Sequence, residues 1–211
     1  MSSFAGIPRA AVAFYADLEA DNSREFWAAH KEIYEAKVRE PMLALLDELE
    51  DEFGEAKLFR PHRDLRFSKD KTPYKTAQGA FVGARTGTGW YVRVGADGLV
   101  AGGGFRSHGS PEVQALRAAV DDDASGPALV DILARLERGG FDLEGESTTR
   151  VPRGFAADHP RADLLKCRSL MVSKGFGTPR WMSSRRAIDE VRGAWRSVTP
   201  LAEWAQANIN P

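Results

Sequence analysis

The spacing of apolar residues changes twice along the chain, and this alternation constrains the fold more than any other feature. Up to Gly54, apolar side chains recur at intervals of three and four residues, as they do along one face of a helix. From Lys57 onward they alternate, most clearly at Trp90, Val92 and Val94. Helical spacing then returns in the later part of the chain. A doubly wound parallel sheet, in which strands and helices alternate one by one, is therefore disfavoured.

Turn-forming residues divide the strand region into a meander. The predicted strand segments are 57–60, 65–67, 78–85, 90–94 and 99–104. A second hairpin is predicted over 141–144 and 147–151, and a last strand over 169–173. We predict an α+β fold that forms a single domain over residues 1–211. Its central antiparallel sheet consists of the meander around 57–104 plus the later strands, and helices from the N-terminal and C-terminal regions pack against it.

Residues that favour helix boundaries refine this outline. Asn22, followed three residues later by Glu25, predicts a capping box at the start of the second helix. Pro200 suits the first turn of a helix. It therefore predicts that a last helix over 199–208 is separate from a preceding helix over 183–197.

The composition indicates a soluble, cytoplasmic protein. The 211 residues carry a formal net charge of −1, and 43% of them are hydrophobic, which is ordinary for a globular protein. The single cysteine, Cys167, cannot form an internal disulfide, as fits a reducing compartment. No apolar run is long enough to span a bilayer, so we expect no membrane partner.

No motif predicts a metal or a cofactor. The histidines His30, His62, His108 and His159 are scattered, and the chain has neither H-x-x-x-H nor C-x-x-C spacing. The dinucleotide-binding fingerprint and the P-loop pattern are missing as well. We therefore predict neither a metal nor a cofactor.

Residues 60–75 form a strongly basic stretch, which we call the basic motif. Its six cations outnumber its two acids and give a local charge of +4. The cations are Arg60, Arg63, Arg66, Lys69, Lys71 and Lys75, and the acids are Asp64 and Asp70. Guanidinium and ammonium groups so crowded repel one another unless carboxylates or a bound anion offset their charge. The basic motif therefore predicts an anion site.

We assign the candidate ligand site to the basic motif together with a glycine run at 102–104. Arginine forks would clamp an anion, lysines would neutralise its charge, and hydroxyls would orient it or move a proton. These side chains are expected to converge on a concavity beside the glycine run, with Asp64 holding one arginine. The predicted ligand-binding residues are Arg63, Asp64, Arg66, Ser68, Lys69, Lys71, Tyr74, Lys75 and Gly103, with Arg24 and His30 as candidate neighbours.

Each of these features also has a structural alternative. Asp64 and Asp70 could join the motif cations in an ion-pair network that serves only the fold. The glycine run could be a bulge or a tight packing site. His30 could be a partly buried histidine held by a hydrogen bond.

Two functions fit the basic motif. The favoured one is the binding, with or without enzymatic processing, of a small phosphorylated or carboxylated ligand in a compact pocket. The alternative is a binding module for nucleic acid or an acidic protein, in which the basic segment 150–196 extends the contact surface. The nearly neutral overall charge disfavours a dedicated nucleic-acid binder, since such domains are usually markedly basic.

Charge is distributed unevenly along the chain. Residues 17–55 carry a net charge of −9, whereas residues 150–196 carry +7. Such a division could steer an anionic ligand, or it could let the acidic helices dock on the basic segment. Docking within the molecule is the simpler explanation for much of it.

Several motifs together resemble those of the domain of unknown function 2461 family of bacteria and fungi. The most specific is the run Arg-Asp-Leu-Arg-Phe-Ser-Lys-Asp-Lys-Thr-Pro-Tyr-Lys-Thr over 63–76. The others are Asn-Ser-Arg-Glu-Phe-Trp over 22–27, the glycine run, Pro-Arg-Gly-Phe over 152–155 and Asp-His-Pro over 158–160. The resemblance covers nearly the whole chain. It implies one integral domain and points to the same central stretch, but it brings no established activity.

Overall fold

One antiparallel sheet contains strands from the central and the later parts of the chain. The computed structural model describes residues 3–64, 66, 70–83 and 87–209. The strands are β1 (Ala56–Leu58), β2 (Ala77–Gly83), β3 (Thr88–Gly95), β4 (Gly98–Phe105), β5 (Asp142–Glu144) and β6 (Leu170–Gly177). They lie in the order β1-β2-β3-β4-β6-β5. The predicted α+β fold with a central meander is confirmed.

Helices precede, interrupt and follow these strands. They are α1 (Arg9–Ala20), α2 (Arg24–Tyr34), α3 (Glu40–Asp47), α4 (Glu50–Phe53), α5 (Ser110–Asp121), α6 (Ser125–Arg138), α7 (Ala162–Lys166) and α8 (Arg186–Ile209). A π-helical turn, Glu35–Arg39, joins α2 to α3, and a 3-10 turn, Arg180–Ser183, precedes α8. None of the helices in the described part of the chain is long and apolar enough to cross a membrane.

The chain divides into two compact units. The first comprises 1–82, 91–101 and 175–193, and the second comprises 83–90, 102–174 and 194–211. The first has a core of large apolar side chains such as Phe14, Tyr34 and Met42. The core of the second includes Leu116 and Trp195. The fold class is thus established, whereas the single domain over residues 1–211 stays a prediction.

Within the first unit, part of the acidic N-terminal region docks on a basic segment that lies far away in sequence. Arg185 donates two hydrogen bonds to Glu48, at 2.9 and 2.6 Å, and the backbone N–H of Phe4 donates to the same carboxylate at 2.9 Å. The Arg185 hydrogen bond is the main reason why the pKa of Glu48 lies below its ordinary value. Arg192 lies 3.4 Å from Glu52. Intramolecular docking therefore accounts for part of the charge asymmetry.

The start of α2 differs by one residue from the predicted cap. The hydroxyl of Ser23, not the amide of Asn22, accepts the hydrogen bond from the backbone N–H of Phe26, at 3.0 Å. Both residue types suit this position, so sequence alone did not separate them. The side chain of Asn22 instead bonds to a distant part of the chain, in the basic motif.

The predicted hairpin over 141–144 and 147–151 is wrong. Strand β5 pairs with β6, in a register that sets Leu143 opposite Val172. The following residues also pair downstream, because Thr148 N–H donates to Lys166 O and Arg168 N–H donates to Glu146 O, both at 2.8 Å. Both predicted arms thus bond to a later segment rather than to each other. Local sequence patterns do not reveal a pairing between strands as far apart in the chain as β5 and β6.

The predicted break at Pro200 is also wrong, since α8 continues through it. Pro200 has no N–H for the helical hydrogen bond, and the hydroxyl of Thr199 donates to Trp195 O at 3.0 Å. Trp195 and Leu201, on either side of the proline, are both fully buried. Tertiary packing of one apolar face therefore outweighs the local cost of the proline.

The glycine run at 102–104 allows backbones to approach closely. A Cβ atom on Gly102 would collide with the carbonyl of Val172, and one on Gly104 with the carbonyl of Leu170. At Gly103 it would collide with the carbonyl of Gly89. The glycines thus let β4 pack tightly against β3 and β6, which confirms the tight-packing alternative.

We expect Gly103→Ala to lower the free energy of unfolding by about 1–3 kcal/mol, because the added methyl group overpacks this contact. Gly175 in β6 provides a matched control, since a Cβ there would meet nothing within 4 Å. Gly175→Ala should be neutral or slightly stabilising. Urea denaturation followed by circular dichroism measures both changes. Equal stabilities for the two variants would contradict the packing role of Gly103.

Candidate functional site

The basic motif folds back on itself through a short antiparallel stem. Arg63 N–H donates to Pro73 O at 2.9 Å, and Lys75 N–H donates to Pro61 O at 2.8 Å. His62 and Tyr74 lie opposite each other between these bonds. We call residues 61–63 and 73–75 the stem. Its pairing brings the two ends of the basic motif side by side.

A side-chain amide and an aromatic ring anchor the stem to α2. Asn22 Nδ2 donates to Tyr74 O and Tyr74 N–H donates to Asn22 Oδ1, both at 3.1 Å. The asparagine amide thus satisfies both backbone groups of Tyr74, as a neighbouring strand would. The Tyr74 ring is 6% exposed and stacks on Trp27, with 4.2 Å between ring centroids and 9° between planes. Tyr74 therefore fixes the stem.

The start of the basic motif is held by a buried polar chain. Tyr34 OH donates to Gln78 Oε1 at 2.6 Å, and Gln78 Nε2 donates to Phe59 O at 2.7 Å. Burial is the main cause that raises the pKa of Tyr34 to about 12, and the nearby Glu35 adds to it. Tyr34 therefore remains a hydrogen-bond donor throughout the neutral range, and it secures the residue that precedes the motif.

Arg63 is the inner cation of the basic motif. Its side chain is 26% exposed and lies 2.7 Å from the carboxylate of Asp70. Among the described residues, its buried Nε has no hydrogen-bond partner. Asp70 also accepts hydrogen bonds from the backbone N–H of Thr72 at 2.9 Å and from its hydroxyl at 2.8 Å. These bonds, the backbone one first, hold the pKa of Asp70 below its ordinary value.

Arg66 and Arg60 are the outer cations. Arg66 donates two hydrogen bonds to Asp64, at 3.0 and 2.7 Å, although its side chain is 77% exposed. The predicted pairing of Asp64 with an arginine is confirmed, and this pairing is the main reason why the pKa of Asp64 lies well below its usual range. Arg60 is 69% exposed and lies 4.0 Å from the same carboxylate. Both carboxylates of the motif therefore already have cationic partners.

Lys75 lies at the base of the stem among other positive charges. Its Nζ donates to Arg60 O at 2.9 Å and lies 5.3 Å from the centre of the Phe59 ring. Its pKa is lowered mainly by burial, and then by repulsion from Arg60 and Arg63. A bound anion would relieve the repulsion between Lys75 and these two arginines.

The remaining predicted site residues differ in their exposure and contacts, and two of them lie outside the described residues. Lys71 is exposed, as is Arg24 in the first turn of α2. His30 stacks on Phe26 at 4.1 Å and hydrogen-bonds the carbonyl of that residue at 2.8 Å, which supports its structural alternative. Ser68 and Lys69 lie outside the described residues, as do Leu65 and Phe67 of the strand predicted over 65–67.

The described part of the basic motif thus brings together Arg63, Asp64, Arg66, Tyr74 and Lys75 by contacts within the stem and its flanks. Gly103 belongs to the second unit and packs against backbone, so its place in the ligand site stays a prediction, as does the concavity beside it.

Two positioning residues were missed from sequence. Asn22 was interpreted as a helix cap, which its residue type suits equally well. Gln78 is the more detectable of the two, because a glutamine among the small and apolar residues of β2 is a buried polar side chain that needs partners.

The cationic side chains of the basic motif are of the types that bind anions in proteins. Its five described cations exceed its two carboxylates by three charges. In the described part of the chain, no group of three or more histidine, cysteine, aspartate or glutamate side chains could hold a metal ion.

A family model described as "Conserved hypothetical protein (DUF2461)" matches residues 10–204. The chain belongs to this family. The DUF2461 match includes the basic motif, the segment around Asn22 and the glycine run, so the elements that build the stem lie within the family region. No curated protein and no solved structure matches the chain.

We expect Asn22→Ala to lower the free energy of unfolding by roughly 1–2 kcal/mol, because the Tyr74 N–H loses its partner and the Tyr74 C=O keeps only the 3.4 Å bond from Arg63. Amide hydrogen exchange of Arg63 and Lys75 should accelerate at the same time. Asn208→Ala removes an exposed asparagine whose amide makes a 2.8 Å bond within α8, and it serves as the control. The idea is wrong if exchange in the stem is the same in both variants.

We expect Arg60→Gln to raise the pKa of Lys75, since it removes a repulsive charge while the backbone carbonyl that Lys75 binds remains. Arg138→Gln, at an exposed cation in the last turn of α6, should leave that pKa unchanged. A pH titration of the lysine side chains by NMR measures both. A Lys75 pKa that does not respond to the substitution would show that repulsion from Arg60 does not lower it.

Proposed function

We propose that the basic motif binds a small phosphorylated or carboxylated ligand. The observation that carries this proposal is the excess of cations on an anchored stem. The hydrogen bonds of Asn22 and the stack of Trp27 on Tyr74 hold the backbone of the stem, so its charges cannot relax by moving apart. A bound anion would offset them.

The internal acids support this proposal by being already engaged. Asp64 pairs with Arg66, and Asp70 pairs with Arg63 and also accepts the bonds of Thr72. Two carboxylates balance two of the five described cations. A bound ligand would add negative charge beside Arg60 and Lys75, where repulsion between cations lowers the pKa of Lys75.

Arg60 and Lys75 are the groups best placed to receive the anion. Arg60 can offer its planar fork to a carboxylate or phosphate, and Lys75 adds a compact charge next to it. The Lys75 side chain is held beside Arg60 by the bond from its Nζ to the backbone carbonyl of Arg60. Because this part of the stem is ordered by internal bonds, binding costs little conformational entropy.

Binding of a polyanion such as nucleic acid is the second candidate. The exposure of Arg60 and Arg66, at 69% and 77%, favours it, because outward arginines suit phosphates on a large surface. His62, exposed beside the Tyr74 ring at 5.1 Å, would add an aromatic face to such a surface. The two candidates differ in how strongly salt should weaken binding.

We infer a cytoplasmic location for the protein. The lone cysteine, Cys167, is a free thiol, which suits a reducing compartment. No cofactor is included in the proposal.

We expect a small anion to raise the melting temperature of the wild type, since a ligand that binds only the folded state stabilises it. The screen uses inorganic phosphate, sugar phosphates, nucleotides, polycarboxylates and short oligonucleotides. Arg60→Gln should reduce the shift strongly, whereas Arg138→Gln should retain it. The stabilising anion should also raise the pKa of Lys75, because a nearby negative charge favours the protonated amine.

Other outcomes decide between the alternatives. Stabilisation by oligonucleotides alone, with affinity that falls steeply as salt is added, would establish the polyanion function. If no compound shifts the melting temperature and Arg63→Gln destabilises the free protein, the basic motif is a structural ion-pair network and the proposal fails.

A further inference from the structure

A cleft in the second unit lies apart from the basic motif in sequence and has the opposite charge. Its volume is about 680 Å³, and it is bounded by α6, β5 and residues 159–164. Apolar side chains form much of its wall, among them Val130, Leu133, Phe141, Leu143 and Leu164. A volume of this size accommodates several side chains of a bound molecule.

The cleft reaches the edge of the sheet. β5 is the last strand in the order, and in the described part of the chain it pairs only with β6. Phe141, Asp142 and Leu143 are consecutive, and all three line the cleft. Successive side chains of a strand point to opposite faces, so a cleft that is lined by both Asp142 and Leu143 extends along the edge of β5. Such an edge offers unpaired backbone groups to an incoming strand.

Apolar exposure is concentrated at this place. Leu143 is 46% exposed and Val130 is 42% exposed. Among the described residues, the only other large apolar side chain with comparable exposure is Ile33 on α2, at 43%. Two of these three side chains therefore line a single cleft, which is where a partner would gain most from covering them.

Acidic side chains dominate the solvent-facing rim of the cleft. Glu137 and Asp142 line it and are exposed, and Glu144 extends the acidic edge along β5. The Ser173 hydroxyl donates to one oxygen of Glu144, which leaves the second oxygen available for a partner. Asp142, Leu143 and Glu144 therefore present an acidic–apolar–acidic pattern along the edge.

The basic side chains that line the cleft bind other parts of the protein. His159 Nε2 lies 3.2 Å from Asp121 Oδ1, and its side chain is only 13% exposed. Arg161, 11% exposed, donates to Val120 O at 2.6 Å and to Asp121 O at 2.8 Å. They bind the C-terminal end of α5, so they add little positive charge to the surface of the cleft.

Two lysines next to the cleft also donate hydrogen bonds to groups of the protein. Lys166 donates to the rim residue Asp163 at 2.7 Å, and Lys174 donates to Gly139 O at 2.8 Å. Lys174 keeps its charge and lies 5.7 Å from the centre of the Phe141 ring, but the three exposed acids Glu137, Asp142 and Glu144 outnumber it at the open rim.

We propose that the edge of β5 binds an extended segment of a partner protein with a basic–apolar–basic sequence pattern. The segment adds as a strand beside β5. Its apolar side chain lies on the same face as Leu143 and covers Val130, while its flanking lysine or arginine side chains lie on the other face beside Asp142 and Glu144. Opposite charges on adjacent strands stabilise such pairing, and backbone hydrogen bonds add affinity.

The test uses the full chain and a capped, fluorescently labelled peptide that alternates lysine with leucine. One control peptide alternates glutamate with leucine, and the other alternates lysine with serine. We expect fluorescence anisotropy to show binding of the lysine–leucine peptide at least tenfold tighter than that of either control. The peptide should also slow amide hydrogen exchange in Asp142–Glu144. Equal binding of the three peptides, no binding, or unchanged exchange in β5 would overturn the proposal.

A pair of matched variants locates the site. Leu143→Asp should weaken binding of the lysine–leucine peptide at least tenfold, because a charge replaces the apolar contact. Ile33→Asp makes the same change at a side chain of similar exposure on α2, and it should leave binding unchanged. Circular dichroism checks that both variants fold. Equal effects of the two substitutions would show that the peptide binds elsewhere.

A charge exchange distinguishes edge pairing from general attraction to acidic surfaces. The double variant Asp142→Lys, Glu144→Lys should lose the lysine–leucine peptide and gain the glutamate–leucine peptide. Asp51→Lys, Glu55→Lys changes two exposed acids of the first unit by the same total charge. It should retain the original preference, and if it too reverses the preference, long-range charge rather than β5 selects the peptide.

Discussion

The hydrogen bonds between Asn22 and the backbone of Tyr74 are the contact on which the basic motif depends. Tyr74 lies opposite His62, and without the asparagine amide its N–H would lack a partner and its C=O would keep only the 3.4 Å bond from Arg63 Nη2. A buried backbone group without a partner costs more than one exposed hydrogen bond contributes. The stack of Trp27 on Tyr74 then gives the stem an apolar base. Without this anchor, repulsion among the cations of residues 60–75 would oppose the pairing of the two stem segments.

The ion pairs of this protein are of two kinds: some join residues far apart in the sequence, and others join residues close together in it. Acids and bases far apart in sequence find one another within the first unit, as Glu48 and Arg185 show. Within the basic motif, by contrast, the ion pairs are local, and they neutralise only part of the charge. The acidic edge of β5 has the opposite sign and an apolar centre. A protein with a net charge of −1 can therefore have one surface suited to anionic ligands and another suited to cationic ligands.

Local patterns predicted much of the fold, and the failures have physical causes. Alternating apolar residues identified β3, and the turn signals on either side of it identified β2 and β4, because these strands pair with their neighbours in sequence. The partner of β5 could not be found this way, since β6 follows it only after α7. Pro200 misled because the apolar face of α8, including Trp195, is buried on both sides of it. The candidate site was located by composition alone, but composition does not say which carboxylate pairs with which arginine, or that Asn22 reaches Tyr74.

The two prolines of the stem also protect its register. Pro61 and Pro73 act only as acceptors, and both have their carbonyls where a donor from the opposite segment meets them. If the pairing register shifted by one residue, Pro73 would take the place of Tyr74 beside Asn22. Asn22 Oδ1 would then lack a donor, because proline has no N–H. The same shift would move Arg63 and Lys75 to the opposite face. The two prolines thus allow only one pairing register in the stem. This register fixes the face on which the Arg63 and Lys75 side chains lie.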